Sequence, residues 1–136
     1  MATILKFEEL DIWKLSRELN KIIGGLIDEK KFENNFRLIN QVEGSSGSIM
    51  DNIAEGFERG SRAEFILFLG YSKGSCGELR SQLYRMIDRK YISQENFEDL
   101  YNRAIIINSK INNVFAEINY KRNKEKMKKS LRNIKH

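Results

Sequence analysis

Proline is absent from this 136-residue chain. Architectures built from many short strands draw on proline for their turns, so its absence favours long uninterrupted helices. Cysteine occurs once, as Cys76, which excludes an internal disulfide and any multi-cysteine metal site. Histidine also occurs once, at the final position, His136. That excludes zinc held by several histidines and the paired Glu-x-x-His motifs of di-iron bundles, and it leaves no histidine-based triad. No apolar run exceeds the five residues Phe65 to Leu69, so no segment is expected to span a membrane. The opening residues, MATILKFEELD, lack the basic-then-apolar pattern of a secretion signal. The expectation is a cytoplasmic protein with no cofactor, no metal and no membrane partner. No nucleophile–base pair can be assembled, so catalysis is not expected either.

Charge is abundant and unevenly placed. The net charge is +5, and residues 121–136 hold eight basic residues against the single acid Glu125, a local net of +7. The other 120 residues hold 16 basic and 18 acidic residues, a net of −2. The high isoelectric point therefore belongs to the tail. A basic tail neutralises phosphates and steers nucleic acid, and it also serves as a solvated terminus; both readings stay open. Met127, Leu131 and Ile134 recur at i, i+4 and i+7, the spacing of a weakly amphipathic helix. No aromatic residue follows Tyr120, so the tail carries no stacking platform for bases.

Apolar periodicity predicts four helices. The first runs from about Phe7 to Asp28, with Ile12, Leu15, Leu19, Ile22 and Leu26 on one stripe. The polar stretch Glu29 to Asn35 breaks it. The second runs from about Phe36 to Arg59 and ends at Gly60, since glycine accepts a left-handed backbone. Ser61-Arg62-Ala63-Glu64 reads as a capping box opening the third. That helix carries Phe65, Leu69, Ser72, Cys76, Leu79, Leu83 and Met86 in steps of four and three, and ends near Arg89. Ser93 caps the fourth, whose stripe is Phe97, Leu100, Ala104, Ile107, Ile111, Val114 and Ile118. The expected architecture is all-α, an antiparallel up-down-up-down four-helix bundle over residues 1–120. Residues 121–136 follow as a basic tail, either a helical extension or disordered.

Eight of the nine glycines fall inside these helices, each costing about 1 kcal/mol against alanine. Gly70, Gly74 and Gly77 lie i, i+4 and i+7 on one face of the third helix. The row predicts close helix packing between the second and third helices, within one chain or across a subunit boundary. Ser45, Ser48, Asn52 and Ser75 would then make interhelical hydrogen bonds. Cys76 reads as a buried, inert thiol, and Trp13 with Phe7 and Leu10 as a packing anchor.

A signature now stands out: Gln41, Ser48-Ile49, Asn52-Ile53-Ala54-Glu55-Gly56, Arg59, Glu64-Phe65, Phe68-Leu69, Gly74-Ser75 and Glu78-Leu79, in that order. With the opening Phe7-Glu8-Glu9-Leu10-Asp11-Ile12-Trp13, it resembles the bacterial four-helix-bundle proteins encoded in intervening sequences of 23S rRNA genes. The resemblance spans roughly residues 5 to 93 by motif and the fourth helix by pattern. It implies a ring-like homopentamer. It is also similar to the accessory variability determinant of diversity-generating retroelements, a basic pentamer that binds nucleic acid and a reverse transcriptase. One departure is Glu43-Gly44, where related chains often carry basic residues.

The polar members of the signature, Asn52, Glu55 and Glu78, form either a site between subunits or structural pairs with Arg59, Arg62 or Arg80. The candidate phosphate-binding residues are Arg59 and Arg62 at the corner between the second and third helices, Lys73, Arg80, Arg85 and Arg89 along the third, and Lys121, Arg122, Lys124, Lys128 and Lys129 in the tail. A modest patch repeated in a ring becomes a strong field. The expected function is a non-enzymatic, oligomeric nucleic-acid-binding or RNA-associated accessory protein, directed to phosphates and not to bases. The alternative is a scaffold that docks another protein.

Overall fold

The computed structural model describes residues 3–134. Lys135 and His136, the last residues of the expected tail, lie outside the described residues, as do Met1 and Ala2. A short 3-10 turn, Phe7–Glu9, leads into four helices: α1 (Asp11–Asp28), α2 (Phe36–Glu58), α3 (Arg62–Asp88) and α4 (Gln94–Ile134). No strand occurs among the described residues.

Cross-helix pairs give the directions. Ser45 faces Gln82, Ser48 faces Ser75, and Gly56 faces Phe65 and Phe68, so α2 and α3 run antiparallel. Tyr84 touches Phe97 and Tyr101, while Lys73 sits over Phe115, so α3 and α4 also run antiparallel. Leu15 lies beside Ile107, and Ile12 beside Val114, which reverses α4 against α1. The core lies between the four helices and contains Leu19, Ile49, Ile53, Leu69, Leu79, Leu83, Leu100 and Ile107, all fully buried.

The predicted punctuation is in place. Gly60 closes α2 at φ +82°. Ser61 Oγ accepts the Glu64 amide at 3.2 Å, and Ser93 Oγ accepts that of Asn96 at 3.0 Å. Two other helix ends use no glycine. Lys30 and Lys90 adopt left-handed φ of 57° and 62° after α1 and α3. In both, the next amide reaches back five residues, Lys31 to Leu26 and Tyr91 to Met86. These turns place Phe32 against Tyr91, ring centroids 5.8 Å apart, and seal one end of the bundle. The stripe of α1 is shifted by one residue from its predicted course. Ser16 and Ile23 are buried, whereas Leu15 and Ile22 are half-buried at its edge. Ser16 is tolerated inside because its hydroxyl donates to the Ile12 carbonyl at 2.6 Å.

The α2–α3 pair is the most extensive contact in the chain. Ser45 Oγ donates to Gln82 Oε1 at 2.5 Å, Ser75 Oγ to Ser48 Oγ at 3.0 Å, and Ser72 Oγ to the Ile49 carbonyl at 2.8 Å. Asn52 bonds within its own helix, to Ser48.

The close packing expected of Gly70, Gly74 and Gly77 requires correction. A Cβ on Gly70 or Gly74 would meet nothing within 4 Å, and one on Gly77 only Arg80 Nη2 at 3.8 Å. The row lies on the side of α3 turned away from Leu69, Cys76 and Leu83. The intimate approach is made by Gly56, whose Cβ would fall 2.6 Å from Phe68 Cβ and 3.3 Å from Phe65 Cδ1. Phe68 Cβ is held by its backbone and cannot yield. Gly56→Ala is therefore expected to lower stability by about 2 kcal/mol through overpacking, despite alanine's better helix propensity. Gly70→Ala, with open space around it, should raise stability by up to about 1 kcal/mol. Urea titration of both variants checks the contrast.

Cys76 is fully buried, and that burial pushes its thiol up to about 11. The unfolded thiol ionises near its usual 8.5 or so. Its contribution to stability is therefore complete below that pH and is lost as pH rises towards about 11. A thiol reagent at about pH 8 should label the native protein slowly and the urea-unfolded protein at once.

Candidate nucleic-acid interface

Helix α4 is the longest element, 41 residues against 27 in α3. At 1.5 Å per residue it extends about 60 Å, some 20 Å more than α3. Its stripe of bundle-facing residues continues past Ile118 as Lys121, Glu125, Lys128 and Arg132, which cannot enter an apolar core. The helix consequently leaves the bundle, and residues 119–134 are all exposed, an arm about 24 Å long. Seven cations and one acid give this arm a net charge of +6.

One tether joins the arm to the body. Arg62, at the start of α3, grips Glu125 with both terminal nitrogens at 2.8 Å. Their hydrogen bond, then their mutual attraction, holds the Glu125 carboxyl below the usual range and raises the Arg62 guanidinium. Lys121, Arg122, Lys128, Lys129 and Arg132 stand three, four or seven residues from Glu125. They share its side of the helix, the side facing the α2–α3 corner. Engagement of Glu125 by Arg62 leaves these cations with little opposing charge within the arm, apart from Lys121, which reaches Glu117 at 3.5 Å.

The other candidate cations do not join them. Arg59 is spent on Glu55 at 2.9 Å and Glu64 at 3.7 Å, and its guanidinium lies over the Phe68 ring. Lys73 covers Phe115 at mid-bundle. Arg80 lies over Tyr101, its buried Nε without a partner. Arg85 donates to Gln41 at 2.8 Å, and Arg89 caps the far end of α3, about 40 Å from Arg62. The cations along α3 thus form no continuous surface with the arm, because α3 carries them towards its far end. Lys124 stands on the flank of the arm, away from the corner.

The polar signature is structural in its contacts. Glu55 binds Arg59, Glu78 accepts from Gln82 Nε2 at 3.2 Å, and Asn52 from α2 caps Ser48 in the same helix. Among the described residues no group of three or more acidic, cysteine or histidine side chains could hold a metal. Glu125 itself, the tether, was not singled out from sequence. Its visible signal is that it alone carries negative charge in a basic run.

Comparisons with known proteins complete these observations. A family model described as 23S rRNA-intervening sequence protein matches residues 8–113. The chain is similar to the crystal structure of a protein with unknown function from the S23 ribosomal protein family of Bacteroides thetaiotaomicron. The two are 28% identical, with TM-score 0.71 over 76% of this chain and 96% of that one. No curated protein matches. The arm lies wholly beyond the residues that the family model matches.

Exposed ion pairs contribute little to global stability, so the tether should control the arm and not the fold. The Glu125 charge is present above the ordinary carboxylate range and is lost as pH falls through its lowered value, which frees the arm in acid. Glu125→Gln should reproduce that release at neutral pH. Trypsin should then cleave within 121–129 several-fold faster, with the thermal midpoint shifted by no more than about 2 °C.

Proposed function

The chain belongs to the 23S rRNA-intervening sequence protein family, and from that premise we propose a non-enzymatic accessory protein that assembles from several copies and binds nucleic acid through phosphates. The observation that carries this reading is the arm: a rigid helix of net charge +6 held clear of a mildly acidic body. A helix of this kind presents cations on one side to a phosphate backbone. It offers no aromatic residue past Tyr120 on which a base could stack, and its charge is directed to phosphates.

Assembly strengthens the reading. The outer face of α3 exposes Leu67 and Tyr71 beside the bare backbone of Gly70 and Gly74. A second copy would fit close against such a face, and the glycines that meet nothing within one chain would gain a neighbour. In a pentamer, as the family resemblance implies, the charge of +5 per chain becomes +25. The same face is also what a protein-docking scaffold would use. That second reading predicts a protein partner that survives nuclease treatment.

Fluorescence anisotropy with structured RNA and duplex DNA tests binding. Five or so phosphate contacts would reduce affinity by two to three orders of magnitude between about 50 and 200 mM salt. Deletion of residues 119–136 should abolish that salt-dependent binding; a full-length protein that binds neither ligand at low salt would overturn the reading. Light scattering should give a mass several times 16.0 kDa. Gly74→Leu, which meets open space in the single chain, should break the assembly while preserving helicity.

A further inference from the structure

The apolar residues of the arm raise a separate question. Tyr120, Met127, Leu131 and Ile134 are 67%, 67%, 53% and 77% exposed. At 100° per residue they fall on one narrow stripe, and Met127 lies about 200° around the helix from Glu125. Glu125 is fixed to the body by Arg62, so the stripe points directly away from the bundle. Among the described residues none covers it. The face used for phosphates in the proposed function lies on the opposite side.

The charge around the stripe selects its occupant. Lys124 and Lys126 flank it on either side, and the arm as a whole carries +6. A second arm would bring +6 against +6, which opposes pairing of two stripes. Phosphates of a nucleic acid satisfy the cations and offer nothing to Met127, Leu131 and Ile134. A bilayer with anionic headgroups satisfies both. The stripe enters the boundary between headgroups and acyl chains, and the flanking lysines meet the phosphates. No helix of the described residues is long and apolar enough to cross a membrane, so the association is with its surface.

We propose that the outward stripe of the α4 arm, Tyr120, Met127, Leu131 and Ile134 with its flanking lysines, is a docking surface for an anionic lipid bilayer. It departs from the expectation of no membrane partner, which rested on the lack of a spanning segment; the spacing of Met127, Leu131 and Ile134 visible in the sequence gains Tyr120 on the same stripe of the continuous helix. Several copies in one assembly would add their arms to a single membrane patch.

Vesicle flotation of the full-length protein tests it, with phosphatidylcholine alone and with about 30% phosphatidylglycerol added. The protein should float with the anionic vesicles and not with the zwitterionic ones. Met127→Gln with Leu131→Gln keeps the charge and the helix propensity, and it alters only exposed side chains. It should lower the bound fraction by about tenfold, while RNA affinity stays within about twofold. Absence of flotation, or flotation unchanged by the double variant, overturns the proposal. An equal loss of RNA binding would assign the stripe to nucleic acid, and a fall in assembled mass would assign it to a second copy; either result also overturns it. Failure of the nucleic-acid reading has a different signature: anionic vesicles bind and RNA does not.

Discussion

The antiparallel contact between α2 and α3 is the constraint from which the rest of the bundle follows. Its surfaces are too polar to be held by apolar burial alone. Ser45, Ser48, Ser72 and Ser75 are small enough to let the helices approach and satisfy their hydroxyls across or along the contact. Each hydrogen bond is worth about 1 kcal/mol net, yet an orphaned buried hydroxyl costs more, so one register is strongly preferred. Gly56 fixes the other end by admitting the Phe65 and Phe68 side chains against its backbone. With those two ends set, Gly60 and Ser61 have only one way to join the helices. The Phe65, Leu69 and Cys76 face is then delivered to the common core.

That delivery explains which features were legible in the sequence. The four helices were visible because apolar residues recur at steps of three and four, and the caps because Gly60, Ser61 and Ser93 carry unambiguous backbone chemistry. The serine contacts of Ser45, Ser48 and Ser75 were also anticipated from their helical spacing. The glycine row does not pack α3 against α2 within the chain, for a physical reason. Glycine at helical spacing says only that side chains are missing on one face, not what stands opposite it. Gly70 and Gly74 share a face with Leu67 and Tyr71, not with Leu69 and Cys76, and within one chain nothing approaches them. Phe32 and Ile92 escaped notice because they sit in links, where periodicity gives no signal, although both are buried. The shift from Leu15 and Ile22 to Ser16 and Ile23 has a similar origin. A stripe drawn only through apolar residues passes over a serine whose hydroxyl is satisfied by its own helix.

The fourth helix shows how sequence changes what a helix is for without interrupting it. Up to Phe115 its apolar residues, Ile106 excepted, mostly face the other helices. From Tyr120 onward they face the opposite way, and the inward positions become Lys121, Glu125, Lys128 and Arg132. There is no proline or glycine at the change, so the backbone continues straight and the helix must leave the bundle. Charge placement does the same. The basic residues at the α2–α3 corner and along α3 are drawn into local contacts: Arg59 with Glu55, Lys73 with Phe115, Arg80 with Tyr101 and Arg85 with Gln41. Those of the arm meet mostly solvent.

The two bare surfaces, the outer side of α3 and the arm, differ in how the chain sustains them. Glycines cost the α3 helix about 1 kcal/mol each with no compensating contact inside the chain. For a protein of ordinary stability that is a substantial fraction of the margin. The arm costs the fold almost nothing, since an exposed helix extension neither adds to the core nor subtracts from it. Its charge nevertheless resists helix formation by like-charge repulsion between neighbouring turns. Glu125 is the one acid set against that repulsion, and its pairing with Arg62 sets the angle at which both faces of the arm are presented. The α3 glycines therefore bear on stability, whereas the arm does not. Residues 119–134 contribute nothing to the core, and the family-matched residues 8–113 hold all of its fully buried members.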